Sequence, residues 1–240
     1  MKTNIVKTVK SVVRFLRRIP LLKELIEGIV LQIHIRNYDN SNRIGWTNRR
    51  TSPTDKHLDI YWDSESDHNR LNLVKLICDL LQERHSHGGL SILEFGSHVG
   101  INLKMINEAM LEKNIEVIYY AVEPNVEAFQ FMTDKVRFVN ALNCNDMDFV
   151  RYKNFPDQYI SVGLVNAVFY SMGYRSAYRV LRKMSRVCDV LVIGDEMGNF
   201  NGNRSQFFNG KDHEGNEYFS FAHPFRKMFL GSSPKRVGEL

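Results

Sequence analysis

Along the first third of the chain apolar residues recur every three to four positions. Ile5, Val9, Val12, Val13, Leu16 and Ile19 form one face, and Lys7, Lys10, Arg14, Arg17 and Arg18 fall largely on the other, which predicts a basic amphipathic helix. Pro20 interrupts it, and Leu22, Leu25, Ile26, Ile29 and Ile33 continue a second helical stripe toward Asn37. Residues 37–69 are polar and turn-rich, an irregular connection punctuated by Trp46, Pro53 and Trp62, with the tryptophans pinning it to something. From Asn69 the pattern changes. A helix with the stripe Leu71, Val74, Ile77, Cys78 and Leu81 runs toward His87-Gly88-Gly89. Short apolar strands then alternate with helices: strands at 91–95, 116–122, 136–139, 159–164 and 189–193, and helices at 101–113, 126–132 and 174–186. This alternation predicts an α/β fold with a mostly parallel sheet and helices on both faces. After Glu196 an Asn/Gly-rich stretch to Asn216 predicts a long loop or hairpin, followed by a strand at 217–222 and a short helix at 224–230. The expected division is an extension over 1–68 and a main domain over 69–240.

Composition adds a bound and an asymmetry. With 240 residues, 43% of them hydrophobic, the chain can bury one good core. Residues 1–50 carry a net charge of +8 and the remainder −3, so the basic excess sits in the leading arm. A nucleic-acid-binding surface needs basic residues across its working face, and none is expected as partner here. The arm either packs on the domain or lies, through residues 1–20, on an anionic membrane surface. No apolar run reaches the roughly 20 residues of a membrane span, and no small-residue cleavage site follows the apolar start. The expected location is therefore cytoplasmic, with the inner face of the membrane as the alternative. Cys78, Cys144 and Cys188 lack metal-ligand spacing and read as buried thiols.

The candidate chemistry lies at strand ends. Glu94-Phe95-Gly96-Ser97-His98-Val99-Gly100 joins a predicted strand to a predicted helix, where glycines let the backbone turn tightly beneath the helix's unpaired N–H groups. Its G-x-x-x-G spacing departs from the G-x-G-x-x-G of dinucleotide folds, which disfavours NAD or FAD. After the second strand Glu123-Pro124-Asn125 places a carboxylate where it suits the vicinal hydroxyls of a ribose.

These residues together resemble the class I S-adenosylmethionine-dependent methyltransferases. Glu94, Gly96 and Gly100 match the family's E/D-x-G-x-G-x-G motif, with His98 in the place of the middle glycine, and Glu123 matches its acidic second motif. Residues 160–170 resemble the fourth motif, with Ser161 where the strand normally opens with Asp. The resemblance covers about residues 69–197, and with Tyr61-Trp62 upstream it is similar to bacterial methyltransferases of surface-glycan and other small-molecule pathways. It implies a Rossmann-like methyltransferase fold with sheet order 3-2-1-4-5 behind an N-terminal helical extension, and S-adenosyl-L-methionine as cofactor. It also implies that Glu94, Gly96, Ser97 and Gly100 hold the cofactor's methionine end and that Glu123 holds its ribose. Among Asn143, Asn145 and Asp146, Asn143 and Asp146 are the candidates for the adenine amine.

The expected reaction is methyl transfer to a small-molecule or glycan hydroxyl. His98, His213 and His223 are candidate bases, and Asp195 is a candidate for orienting the acceptor. The aromatic-rich segment 198–223 is expected to close over the site. His85, Ser86 and His87 read as a helix end, and no metal site is expected. Two rivals remain: a cofactor-binding module without activity, suggested by His98 and Ser161, and a nucleic-acid methyltransferase. For the latter, Asn166-Ala167-Val168-Phe169 lacks the Asn/Asp-Pro-Pro-aromatic element.

Overall fold

The computed structural model describes Leu58, Trp62 and residues 68–85, 89–153 and 160–194, together with the backbone of two later strands. The described residues open with α1 (His68–Arg84) and continue β1 (Leu90–Phe95), α2 (Ile101–Leu111), β2 (Val117–Val122), α3 (Val126–Lys135) and β3 (Val139–Leu142). Next come α4 (Asp146–Arg151), β4 (Ile160–Asn166), a 3-10 turn (Phe169–Ser171), α5 (Tyr174–Val187) and β5 (Cys188–Gly194). The first five strands form an all-parallel sheet of order β3-β2-β1-β4-β5, as expected. The order reverses between β1 and β4, so a crevice opens beyond their carboxyl ends, where ligands bind in open α/β sheets.

The two faces of the sheet are covered differently. On one, Val74, Ile77, Cys78 and Leu81 of α1, Leu103, Ile106 and Met110 of α2 and Met132 of α3 pack on Ile92, Tyr119, Ala121, Val162 and Leu164. On the other, Phe149 of α4 and Ala177, Val180, Leu181 and Met184 of α5 pack on Leu93, Phe95, Val122 and Val165. The strand alternation decides this: Ile92 and Glu94 point toward α1 and α2, whereas Leu93 and Phe95 point toward α4 and α5. Trp62 is pinned as expected, edge-on to Phe131 at 5.9 Å and beneath the Lys104 ammonium at 4.8 Å. Cys78 and Cys188 are buried thiols, while Cys144 is only half-buried.

Three expectations need correction. The third strand spans Val139–Leu142 instead of 136–139, because α3 runs on through Lys135. Thr133 turns its hydroxyl back to the carbonyls of Phe129 (3.0 Å) and Gln130 (2.9 Å), and Val136 donates its N–H to Met132 O at 2.7 Å and closes the helix. The short helix α4 was not foreseen: Asn145 caps it by accepting from the N–H groups of Met147 (2.9 Å) and Asp148 (3.1 Å). Finally, β7 (Glu217–Ala222) forms as expected, but its partner is β6 (Gln206–Lys211) in an antiparallel hairpin. The two N-terminal helices and the helix expected at 224–230 lie outside the described residues.

Candidate functional site

The loop after β1 is shaped by three left-handed residues. Gly96 (φ 79°), His98 (φ 50°) and Gly100 (φ 78°) turn the chain from the strand into α2 within five positions. Gly96 and Ser97 both donate N–H to Val122 O, at 2.8 and 3.2 Å, and Gly100 donates to Ser97 O at 2.8 Å. A side chain at Gly96 would collide with Val168, and a Cβ at Gly100 would stand 2.7 Å from Met132 Cγ. The loop therefore lies flat against both neighbours. His98 adopts the same left-handed conformation a glycine would take there, at a cost of roughly 1–2 kcal/mol.

Glu123, at the carboxyl end of β2, is 4% exposed and ties this loop to the next turn. Its Oε2 accepts the His98 N–H at 2.7 Å and its Oε1 the Asn125 N–H at 2.8 Å. One lone pair on each oxygen is used in this way, and a second on each is left for a hydroxyl donor. Burial pushes the carboxyl up to about 7 despite those two bonds. Asn143, by contrast, donates its amide to the Glu123 carbonyl at 2.8 Å and so locks the turn after β3. Asn145 is engaged as the α4 cap, and Asp146 is half-buried in the first turn of α4.

A second polar cluster lies one layer deeper, between β1, α2 and α1. Glu94 is 1% exposed; its Oε1 accepts from Asn102 Nδ2 at 2.7 Å, while its Oε2 and Asn102 Oδ1 have no hydrogen-bond partner. Nε and Nη1 of Arg70, in the first turn of α1, are likewise buried without a partner. Burial raises the Glu94 carboxyl to about 8; the Asn102 bond and the Arg70 charge pull it down and the Glu123 charge pushes it up. Unsatisfied buried donors and acceptors of this kind are rare, and each costs of order 1–3 kcal/mol. Four such atoms on three residues, Arg70, Glu94 and Asn102, bring a guanidinium and a carboxyl of complementary sign into one buried cluster.

A pH dependence of the ligand-free fold follows. Glu94 and Glu123 hold protons more tightly in the folded chain than at their ordinary value of 4.5. Their contribution to stability is full below that value and is lost as pH rises through about 7 and 8. Glu94→Gln, which cannot ionise, is expected to remove a loss on the order of a few kcal/mol between pH 5 and 9, read by denaturant unfolding. Parallel pH curves for the variant and the natural chain would refute the assignment.

Two features of the site escaped sequence reasoning. Arg70 continues the inward stripe of α1 at the spacing 70, 74, 77, 81, and this placement of a charge on a core-facing stripe is the signal that could have found it. Ala167, just after β4, has φ 52° and donates its N–H to Gly194 O at 2.7 Å, so the ends of β4 and β5 meet in a strained turn beside Asn166. Ser161 lies at the opposite end of β4 from the site. Its Oγ accepts from the Ser91 N–H at 3.1 Å, and Ser91 Oγ accepts from its N–H at 3.2 Å, a reciprocal bridge between β1 and β4. Asp195, His213 and His223 lie outside the described residues. The hairpin's β7 runs beside the turn Phe169–Ser171, which follows β4 at the site's edge.

The architecture is a Rossmann-like α/β fold, a parallel sheet of order β3-β2-β1-β4-β5 with helices on both faces. No family model and no curated protein matches the sequence. Among solved structures the chain is similar to the plantazolicin methyltransferase BpumL in complex with a monoazolic desmethylPZN analog and SAH, at 14% identity and a TM-score of 0.48. That match covers 70% of this chain and 63% of the other, less than two thirds of its length. It is also similar to the magnesium protoporphyrin IX methyltransferase from Synechocystis PCC 6803 with bound SAM (9% identity, 67% of each chain, TM-score 0.41). A third is Streptomyces venezuelae DesVI (10% identity, 72% of this chain and 87% of that chain, TM-score 0.46). These are likenesses of fold.

Proposed function

We propose that this chain binds S-adenosyl-L-methionine at the carboxyl ends of β1 and β2 and transfers its methyl group to a hydroxyl of a small molecule or glycan. The observation that carries the reading is the set of unsatisfied groups on Arg70, Glu94 and Asn102 beside a left-handed glycine loop. They fit the amino-acid end of the cofactor. Arg70 takes the carboxylate, Glu94 takes the ammonium, and the N–H groups at the start of α2 line the approach. Glu123 accepts the ribose hydroxyls on its remaining lone pairs. Asn143, through its amide oxygen, and Asp146, through its carboxylate, are the candidate acceptors for the adenine amine; the Asn143 Nδ2 already donates to the Glu123 carbonyl.

When bound, the cofactor would supply an electrophilic methyl on its sulfonium, with the neutral thioether as leaving group. The protein's task is then to hold the acceptor oxygen in line with that methyl, exclude water and accept the hydroxyl proton. The hairpin β6–β7, running beside the turn after β4, supports a role for segment 198–223 as one wall of the acceptor pocket. His98, His213 and His223 are the candidate proton acceptors, and Asp195, directly beyond β5, is the candidate for orienting the acceptor. The inactive-module reading loses its support. The His98 backbone adopts the left-handed turn the loop needs, and Ser161 serves a bridge far from the site. Incubating the chain with methyl-labelled S-adenosylmethionine and fractionated small molecules and glycans is expected to give a labelled, base-stable ether. Label confined to protein or nucleic acid, or none in any fraction, would overturn the reading.

A further inference from the structure

Helix α5 carries two unlike faces. Ser176, Ala177, Val180, Leu181 and Met184 are buried against the sheet. Arg175, Arg179, Arg182 and Arg186 are all exposed, and their spacing of four, three and four places them in one row along the opposite side. The row runs about 16 Å along the helix. Among the described residues none of the four makes an ion pair, and Arg179 makes only a contact to Met147 Sδ at 3.3 Å. Arg179, Arg182 and Arg186, with Val150 of α4 and Lys183, line a groove of about 190 Å³. Lys183 donates to Tyr152 O at 2.8 Å, and partial burial followed by the nearby Arg186 charge holds its ammonium below the ordinary value. Among the described residues the acidic side chains nearest in sequence are Asp189 and Asp148, both exposed, and Asp148 is held by Asn145 Nδ2 at 2.8 Å.

Four unpaired arginines in line repel one another, which costs stability and contributes nothing to the core. They sit in a region, residues 51–240, whose net charge is −3, so the row is a local departure from the rest of the surface. A helix lying flat on a plane touches it along such a line, and guanidinium forks match phosphate oxygens. The apolar face of α5 is already buried, so contact along this row is electrostatic.

We infer that the arginine face of α5 docks on an anionic phospholipid membrane. The full chain is to be sedimented with vesicles of pure phosphatidylcholine and of phosphatidylcholine mixed equally with phosphatidylglycerol. The natural chain is expected to partition to the mixed vesicles alone and to be released by salt. The variant R175Q/R179Q/R182Q/R186Q is expected to partition on the order of 10²–10³-fold more weakly with an unfolding transition no lower than that of the natural chain, since the four side chains are exposed and their mutual repulsion is relieved. The charge-keeping variant R175K/R179K/R182K/R186K should retain most of the partitioning, which guards against a folding defect. Equal partitioning of the glutamine variant and the natural chain would overturn the inference. So would loss in the lysine variant, or tighter binding to heparin or single-stranded DNA than to the mixed vesicles.

Discussion

An Arg70→Met variant is expected to unfold no more easily than the natural chain and to bind S-adenosylmethionine roughly 10²–10³-fold more weakly. Both halves come from one observation. In the ligand-free chain the Arg70 guanidinium is partly buried with Nε and Nη1 unsatisfied, in the first turn of a helix whose dipole disfavours a cation. Methionine keeps the stem's packing and removes the desolvated charge, so denaturant unfolding should show equal or greater stability. Calorimetric titration of the same preparation should show the loss of affinity, because the cofactor's carboxylate would enter a wall with no counter-charge. A structural arginine would give the opposite pair of results: lower stability and unaltered affinity.

The second large effect is on the loop itself. Gly96→Ala is expected to destabilise the domain by about 2–5 kcal/mol, the sum of a left-handed residue and an overpacked contact with Val168. At this domain size the unfolding midpoint should fall by roughly 5–15 °C. The double variant Gly96→Ala with Val168→Ala should recover part of that loss by removing the collision, leaving the backbone strain. If the second substitution adds its own loss instead of relieving the first, the loop is not seated against Val168 as described.

Much of this architecture was legible because it rests on periodicity. The short apolar run of β1, buried at all six positions, and the 3-4 spacing of Val74, Ile77, Cys78 and Leu81 carry their structure in the order of residues. The glycine loop was legible for the same reason: Gly96 and Gly100 occupy positions of positive φ, which the sequence marks with glycine. What was less visible depends on contacts distant in sequence. β3 is an edge strand of four half-covered or exposed residues, so its pattern was too weak to set its start against the run-on of α3. Arg70 and Glu94 are 24 positions apart, and only the packing of α1 on α2 brings the guanidinium within reach of the carboxyl's charge. The role of Asn143 turned on a single side-chain bond to a carbonyl 20 residues earlier.

The most direct test of the central claim is the titration of the full-length natural chain with S-adenosylmethionine at pH 7, in two buffers of different ionisation enthalpy. The account predicts saturable one-to-one binding with release of protons. Glu94, raised to about 8 by burial, is largely protonated before binding and gives up its proton to receive the cofactor's ammonium. Absence of saturable heat with either the cofactor or its demethylated product up to ~1 mM would contradict the proposed function. Binding without proton release would contradict the role assigned to Glu94.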